Sequence, residues 1–379
     1  MELFDVYPRF NITPVSAKGC WITDINGDRY LDLYGGHAVI SIGHSHPQYV
    51  RNLTSQLRKI AFYSNSVQNP LQEGLGEHLG RASGLESYRL FLCNSGAEAN
   101  ENALKLASFH TGKSKVIAFK NSFHGRTSAA VAATDNPAII SPLNALHQVT
   151  FLPLNDVAAL ENALSKKDIS AVILEPIQGV GGLEMAEASF MEETARLCRE
   201  HQAVFIADEV QSGFGRTGAF FAFQHSGAAP GIITMAKGMG NGFPVGGILI
   251  HPDIESRPGL LGTTFGGNHL ACVATRTVLE VLEQEMLLPH TVKMEGVFRT
   301  RAEGIPGLKQ VRGKGLMLGL EMDFHVADLR KKLLYTHRIF TGNSKNKNLL
   351  RILPPVCVEE KELELRLSAM KKELVCSIS

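Results

Sequence analysis

Between residues 48 and 249, short apolar runs alternate with longer stretches in which apolar residues recur every three or four positions. That alternation predicts strands followed by helices and, through them, an α/β fold. Four runs, at 116–119, 171–174, 204–207 and 232–235, are apolar but for Thr234 and stop abruptly at polar residues. Continuous rather than alternating apolarity predicts strands covered on both faces, as in a parallel sheet. Before them, 20–23 and 29–33 flank Asp24-Ile-Asn-Gly-Asp28, where Asn26-Gly27 predicts a tight hairpin turn with positive φ. A calcium loop on Asp24, Asn26 and Asp28 is disfavoured, because the glycine is misplaced and no glutamate closes it. Past about residue 257 the pattern changes to an amphipathic stretch at 270–287, then strand-like pieces at 315–321 and 349–353, which predicts a second, smaller domain.

In open α/β sheets ligands bind at the carboxyl ends of the strands, so the residues just after each run carry the chemistry. They are Lys120-Asn-Ser-Phe-His124, Glu175-Pro-Ile-Gln178, Asp208-Glu-Val-Gln211 and Ala236-Lys237-Gly. Asn94-Ser95-Gly96-Ala97-Glu98 precedes a predicted helix over 100–110, whose free N–H groups and dipole suit a phosphate. By itself Ser95 is equally a plain N-cap. Asp208 at a strand end calls for a cation; a pyridinium nitrogen would serve, and so would a nearby Arg or Lys. Lys237 lies in Met-Ala-Lys-Gly-Met-Gly-Asn-Gly, where burial would favour the neutral, nucleophilic amine. One cofactor uses a phosphate, a ring cation and an amine-reactive carbon together: pyridoxal 5′-phosphate (PLP), an electron sink once its ring nitrogen is protonated.

Other chemistries lack their signatures. Gly112-Lys113-Ser114 has no upstream glycine for a P-loop, no G-x-G-x-x-G follows a strand, and the 14 histidines show no metal-ligand spacing. No metal is expected. With 20% charged residues and a net charge of +1, no global field draws the chain to nucleic acid or to an anionic membrane. No apolar run reaches the roughly 20 residues of a membrane-spanning helix. The start, MELFDVYPRFNITPV, is acidic and broken by prolines, unlike a signal peptide, and the six cysteines are widely spaced; a cytoplasmic protein with reduced cysteines is expected.

Ile206-Ala-Asp208-Glu-Val-Gln211-Ser-Gly-Phe-Gly-Arg216-Thr-Gly218, with Lys237 29 residues after Asp208, resembles the class III aminotransferases, PLP enzymes of fold type I, and within them the acetylornithine/succinylornithine branch. Ser95-Gly-Ala-Glu-Ala-Asn100, Ser122-Phe-His-Gly-Arg126-Thr and Gly262-Thr-Thr-Phe-Gly-Gly-Asn268 extend the likeness in family order over nearly the whole chain. It implies a large, mostly parallel-sheet domain (48–256) and a smaller α/β domain formed by an N-terminal segment (1–47) and a C-terminal one (257–379). It implies Lys237 as Schiff-base lysine and acid/base, Asp208 on the ring nitrogen, Gly96 and Ala97 on the phosphate, Phe123 stacked on the ring and Gln211 near its hydroxyl. Ser95, His124, Glu209 and Val210 complete the cofactor set, with Thr264 reaching the phosphate of a neighbouring subunit, so that a homodimer shares its sites. Read without the family, Phe123 is a core aromatic and Thr263 and Thr264 are turn residues.

For substrate, the resemblance implies Arg126, Thr263 and Arg351, with Arg126 on the donor's carboxylate and Arg351 on that of glutamate; each arginine also has a salt-bridge reading. The implied reaction moves the distal amino group of an N-acylornithine to 2-oxoglutarate in two half-reactions, giving the semialdehyde and glutamate, as in arginine biosynthesis. Ornithine, 4-aminobutyrate or lysine-pathway aminotransfer, glutamate-semialdehyde isomerisation and a non-catalytic PLP-fold protein are the alternatives. Where many relatives read Gln-Gly-Glu-Gly-Gly, this chain reads Gln178-Gly-Val180-Gly-Gly182. Val180 is therefore expected to leave Arg351 open and to favour dicarboxylate or succinylated donors over free ornithine. His37 and His269 also depart from the family pattern and are expected to be structural.

Overall fold

A computed structural model describes residues 1–376. Seven strands form the central sheet: β4 (Arg89–Cys93), β5 (Lys115–Phe119), β6 (Val149–Leu152), β7 (Ile169–Leu174), β8 (Val204–Asp208), β9 (Ile232–Met235) and β10 (Gly246–Ile250). Their order is β4-β10-β9-β8-β7-β5-β6. The four apolar runs of the sequence are β5, β7, β8 and β9, and they pair in parallel. Edge strand β6 joins in parallel, whereas β10 runs antiparallel to both neighbours, β4 and β9. The sheet is thus mostly parallel.

Alternate side chains of these strands enter different cores, which is why the runs are apolar on both faces. Ile117, Val172, Phe205 and Ile233 belong to one buried cluster, together with Phe190 and Leu197 of helix Ala188–Glu200. Their neighbours Ala118, Ile173, Ile206 and Ile232 belong to another, with Ala99, Ala103 and Leu106 of helix Gly96–Thr111. Helices therefore cover both faces, and the ends of the parallel strands are left for chemistry.

The N-terminal hairpin pairs β2 (Trp21–Asp24) with β3 (Arg29–Asp32), and β1 (Pro14–Lys18) flanks β2. Only Gly27, not Asn26, takes positive φ, at +84°; the Asp24 carboxylate accepts the N–H groups of Asn26 and Asp28 and closes the loop on itself. A strand from the far end of the chain, β13 (Ile339–Phe340), pairs in parallel with β3. A second small sheet is the meander of β11 (Leu308–Lys314), β12 (Met317–Met322) and β14 (Leu349–Ile352). The amphipathic stretch is helix His269–Gln284, which packs on helices Pro47–Leu57 and Pro70–Ser83. The expected domain boundary at 257 thus falls before a helix in contact with the preceding part of the chain.

Arg216 fastens the parts together. Its side chain is fully buried, and its guanidinium donates to the carbonyls of Ile40, Leu316 and Pro354. Five cysteines are free, four of them buried; the side chain of Cys376 lies outside the described residues. Among the described residues, no helix is long and apolar enough to cross a membrane, and no cluster of His, Cys, Asp and Glu could hold a metal.

Candidate active site

The strand ends β4, β5, β7, β8 and β9 open onto one cavity of about 390 Å³. Asp208, the last residue of β8, is buried on its wall. Its Oδ2 accepts Asn100 Nδ2 at 2.8 Å and pairs with His124 Nδ1 at 2.7 Å, while Oδ1 accepts the Val210 N–H at 3.1 Å. Oδ1 also accepts the Thr234 hydroxyl at 3.4 Å, a long bond that a stronger donor from the cavity would displace, and together these bonds fix the carboxylate. The Asn100 Oδ1, His124 Nε2 and Gln211 Oε1 atoms are buried without partners, and all three residues line the cavity.

Lys237 follows β9 in a left-handed conformation, φ 48°, at the start of a 3-10 turn. Such a conformation in a residue other than glycine stores backbone energy of order 1–3 kcal/mol and persists only where the surroundings enforce it. Burial lowers the pKa of its ammonium from the ordinary lysine value; Asp208 and Glu175 oppose that shift and Arg351 adds to it. More of the amine is therefore neutral than on a surface lysine.

At the end of β4, Ser95 caps helix Gly96–Thr111 by accepting the Glu98 N–H at 3.2 Å, and Glu98 returns to the Asn94 N–H at 2.8 Å. The Gly96 and Ala97 N–H groups precede the first intrahelical bond, Ala99 to Ser95, and both residues line the cavity. Gly96 is dictated by packing, since a Cβ there would lie 2.5 Å from Val210 Cγ1. At Gly125, φ is +139° and a Cβ would meet that of Ala97 at 2.8 Å, so only glycine lets the 123–126 segment close on the helix terminus. Glu101 holds the segment from beyond, accepting the Thr127 hydroxyl and the N–H groups of Ala129 and Ala130. Arg126 emerges there, exposed on the rim.

The cavity thus brings together Ser95, Gly96, Ala97, Phe123, His124, Arg126, Asp208, Val210, Gln211 and Lys237. It does not include Glu209. Expected as a cofactor contact, Glu209 points away from Asp208, as successive side chains in extended backbone do. Its carboxylate accepts the Ser212 hydroxyl and the N–H groups of Ala222 and Phe223. Nor do the threonines line the cavity of a single chain. Thr264 is exposed, and Thr263 accepts Asn94 Nδ2 at 3.3 Å and the Gly266 N–H at 3.1 Å.

Arg351 stands behind the wall, 2% exposed, with Nε on the Asn343 carbonyl and Nη1 on that of Gly179 at 2.7 Å. Among the described residues no carboxylate pairs with it, and its Nη2 is unbonded. Val180, next to Gly179, lines the cavity. Two site residues received no role from the sequence, Asn100 and Glu175. The former lies inside the quoted Ser95–Asn100 motif and the latter directly after β7, so position flagged them but their partners, distant in sequence, did not.

A buried acid, a lysine whose ammonium loses its proton more readily than usual and a helix N-terminus thus meet around one cleft. The aminotransferase class-III family model matches residues 6–374. The chain belongs to the class III aminotransferases. It is 41% identical to the acetylornithine aminotransferase of Bacillus subtilis, over 98% of this chain and 97% of that protein. Among solved structures it superposes on the ornithine aminotransferase of Toxoplasma gondii with a TM-score of 0.91 at 27% identity, covering 99% and 93% of the two chains. The N-acetylornithine aminotransferase of Stenotrophomonas maltophilia gives 0.83 at 30% identity, covering 98% and 97%.

Class III aminotransferases are PLP-dependent transaminases of fold type I, as the sheet order and strand-end site of this chain agree. The residues present fit the cofactor. Asp208 presents an oxygen whose longest bond, from Thr234, would yield to a charged ring N–H, Gly96 and Ala97 offer N–H groups to a phosphate, Phe123 supplies an aromatic wall, and the unpartnered Gln211 Oε1 and His124 Nε2 call for a polar ligand. When bound, PLP supplies an electron sink for the substrate carbanion. Three features of the chain are placed to act with it. Lys237, buried and with its pKa lowered by that burial, is placed to take up and return a proton. Asp208, locked by Asn100 and His124, would hold a ring cation in place. Arg126 on the rim and Arg351 behind Gly179 are planar cations that would suit carboxylates.

Proposed function

We propose that this aminotransferase moves the distal amino group of an N-acylornithine to 2-oxoglutarate, releasing the semialdehyde and glutamate in arginine biosynthesis. The carrying observation is the pair of guanidinium groups, Arg126 and Arg351, that flank a cavity containing Lys237 and that pair with no carboxylate among the described residues. Both partners of the reaction carry an α-carboxylate, and a donor reacting at its distal amine needs that carboxylate held away from Lys237. The identity to the Bacillus subtilis acetylornithine aminotransferase supports the acylated donor. Free ornithine is the second reading, favoured by the 0.91 superposition on the Toxoplasma enzyme, though at lower identity.

The reading includes a homodimer with shared sites. Thr264 and Phe265 are exposed close to Asn94, where a second copy would bring its own Thr264 toward the helix terminus. It also includes a cytoplasmic enzyme, in keeping with free, mostly buried cysteines. The test offers N-acetylornithine, N-succinylornithine, ornithine and 4-aminobutyrate separately, each with 2-oxoglutarate, and measures glutamate. An acylated donor at least roughly tenfold ahead in kcat/KM supports the reading, a difference of about 1.4 kcal/mol at the transition state. Ornithine or 4-aminobutyrate ahead of both acylated donors overturns it.

A further inference from the structure

Glu175 is the first residue after β7 and is buried, 7% exposed, on the cavity wall. Its two carboxylate oxygens serve two different segments. Oε1 accepts the N–H of Phe123 at 2.8 Å, and Oε2 accepts the N–H of Gly179 at 3.0 Å. The carbonyl of that same Gly179 accepts Arg351 Nη1 at 2.7 Å. One carboxylate therefore connects the aromatic wall of the cavity with the backbone group that holds the buried arginine.

The two segments are also pressed together. Gln178 Nε2 donates to the Lys120 carbonyl at 2.8 Å. A Cβ at Gly181 would lie 2.5 Å from the Asn121 carbonyl oxygen, and one at Gly179 only 1.9 Å from Gln211 Oε1. Packing of this kind sets the distance between the segments but not their register, because glycine backbone resists sliding poorly. Hydrogen bonds set register, and besides the Gln178 amide it is Glu175 that supplies them, one through each oxygen. Burial pushes its acid up to about 7, with His124 opposing and Asp208 adding to the shift. A buried carboxylate without a salt-bridge partner is costly and is not what plain packing calls for. Two converging N–H donors explain it: glutamate offers both an acceptor, whereas glutamine of the same shape would turn its NH₂ toward one of them.

We propose that Glu175 is a positioning residue of the transamination site, which fixes the Phe123 wall and the Arg351 guanidinium in one register through the N–H groups of Phe123 and Gly179. The Arg351 half rests on the reading in which that arginine takes a substrate carboxylate; the Phe123 half does not. The experiment compares the wild-type holoenzyme with Glu175→Gln and Glu175→Ala by amide hydrogen exchange and by steady-state kinetics with 2-oxoglutarate. Loss of a charge-assisted bond speeds exchange at the Phe123 or Gly179 amide by roughly 10- to 100-fold in the glutamine variant, with the strands of the central sheet unchanged. KM for 2-oxoglutarate rises about tenfold or more while kcat falls less than about threefold.

Wild-type exchange at both amides in Glu175→Gln overturns the proposal, as does a kcat loss with KM unchanged, which would make the group a proton carrier instead. If the alanine variant fails to fold, the isosteric glutamine variant carries the test. If the wild-type protein does not use 2-oxoglutarate, the proposed function falls, and the exchange measurement still decides whether Glu175 holds the two segments.

Discussion

Glu209 lends itself to a quantitative test, because it is buried, does not line the site cavity and links stability to pH. It is 1% exposed, and burial pushes its acid from 4.5 up to about 7 against the Ser212, Ala222 and Phe223 hydrogen bonds, which favour the anion. A raised folded-state acid binds its proton more tightly in the folded chain than in the unfolded one. Its contribution to stability is therefore complete below pH 4.5 and is lost as pH rises toward 7. At about 1.36 kcal/mol per pH unit, rising from pH 5 to 8 costs the fold about 2.5 kcal/mol from this group. Glu175, also raised to about 7 by burial, adds a similar amount. Glu209→Gln cannot titrate, and its single carbonyl oxygen loses at least one of the three donors, so it lowers stability by a nearly constant offset. Denaturant unfolding of wild type and variant at pH 5, 6.5 and 8 measures the difference, in which all other titrating groups cancel. The gap between the two proteins should narrow by about 2.5 kcal/mol from pH 5 to 8. Two parallel pH profiles would refute the argument, and so would a gap that widens with pH.

Lys237→Ala removes the group that moves the proton, and glutamate formation should fall by at least about a thousandfold while the unfolding midpoint barely moves; residual turnover within tenfold of wild type would unseat Lys237. Asp208→Asn keeps the shape but removes the anion beside a ring cation, so kcat should drop by roughly two orders of magnitude or more with the fold retained; near-normal kcat would remove the ring-nitrogen role. Gly179→Ala places a Cβ 1.9 Å from Gln211 Oε1 and forces Gln211 off the His37 carbonyl it now reaches at 3.1 Å. Thermal unfolding should register about 1–3 kcal/mol of overpacking, and an unchanged midpoint would mean that the wall yields freely. Val180→Glu sets a carboxylate on the wall next to the Gly179 carbonyl that holds Arg351, and kcat/KM for N-succinylornithine should fall about tenfold relative to ornithine; an unchanged donor ratio would discard the selectivity argument.

The parallel strands β5, β7, β8 and β9 were legible in the sequence because a strand covered on both faces needs apolar residues at every position, and their ends then located Asp208 and Lys237. The Ser95 turn was legible because capping is local chemistry. Strand β10 was not, for it begins with Gly246-Gly247 and its direction depends on pairing with β4 and β9 rather than on its own composition. The hairpin was read correctly, but which turn residue takes positive φ was decided by the Asp24 side chain.

At the site the division is the same. Which chemical groups are available, an acid, an amine, two arginines and a capped helix, is written in strand ends and motifs. Which of two adjacent acids faces the cleft is not: Asp208 is held there by Asn100 and His124, 108 and 84 residues away in sequence, while Glu209 turns to Ala222 and Phe223. The bridge from Phe123 through Glu175 and Gly179 to Arg351 likewise exists only once three separate segments meet. Local sequence fixes what a residue can donate or accept, and only the folded chain brings its distant partners within hydrogen-bond reach.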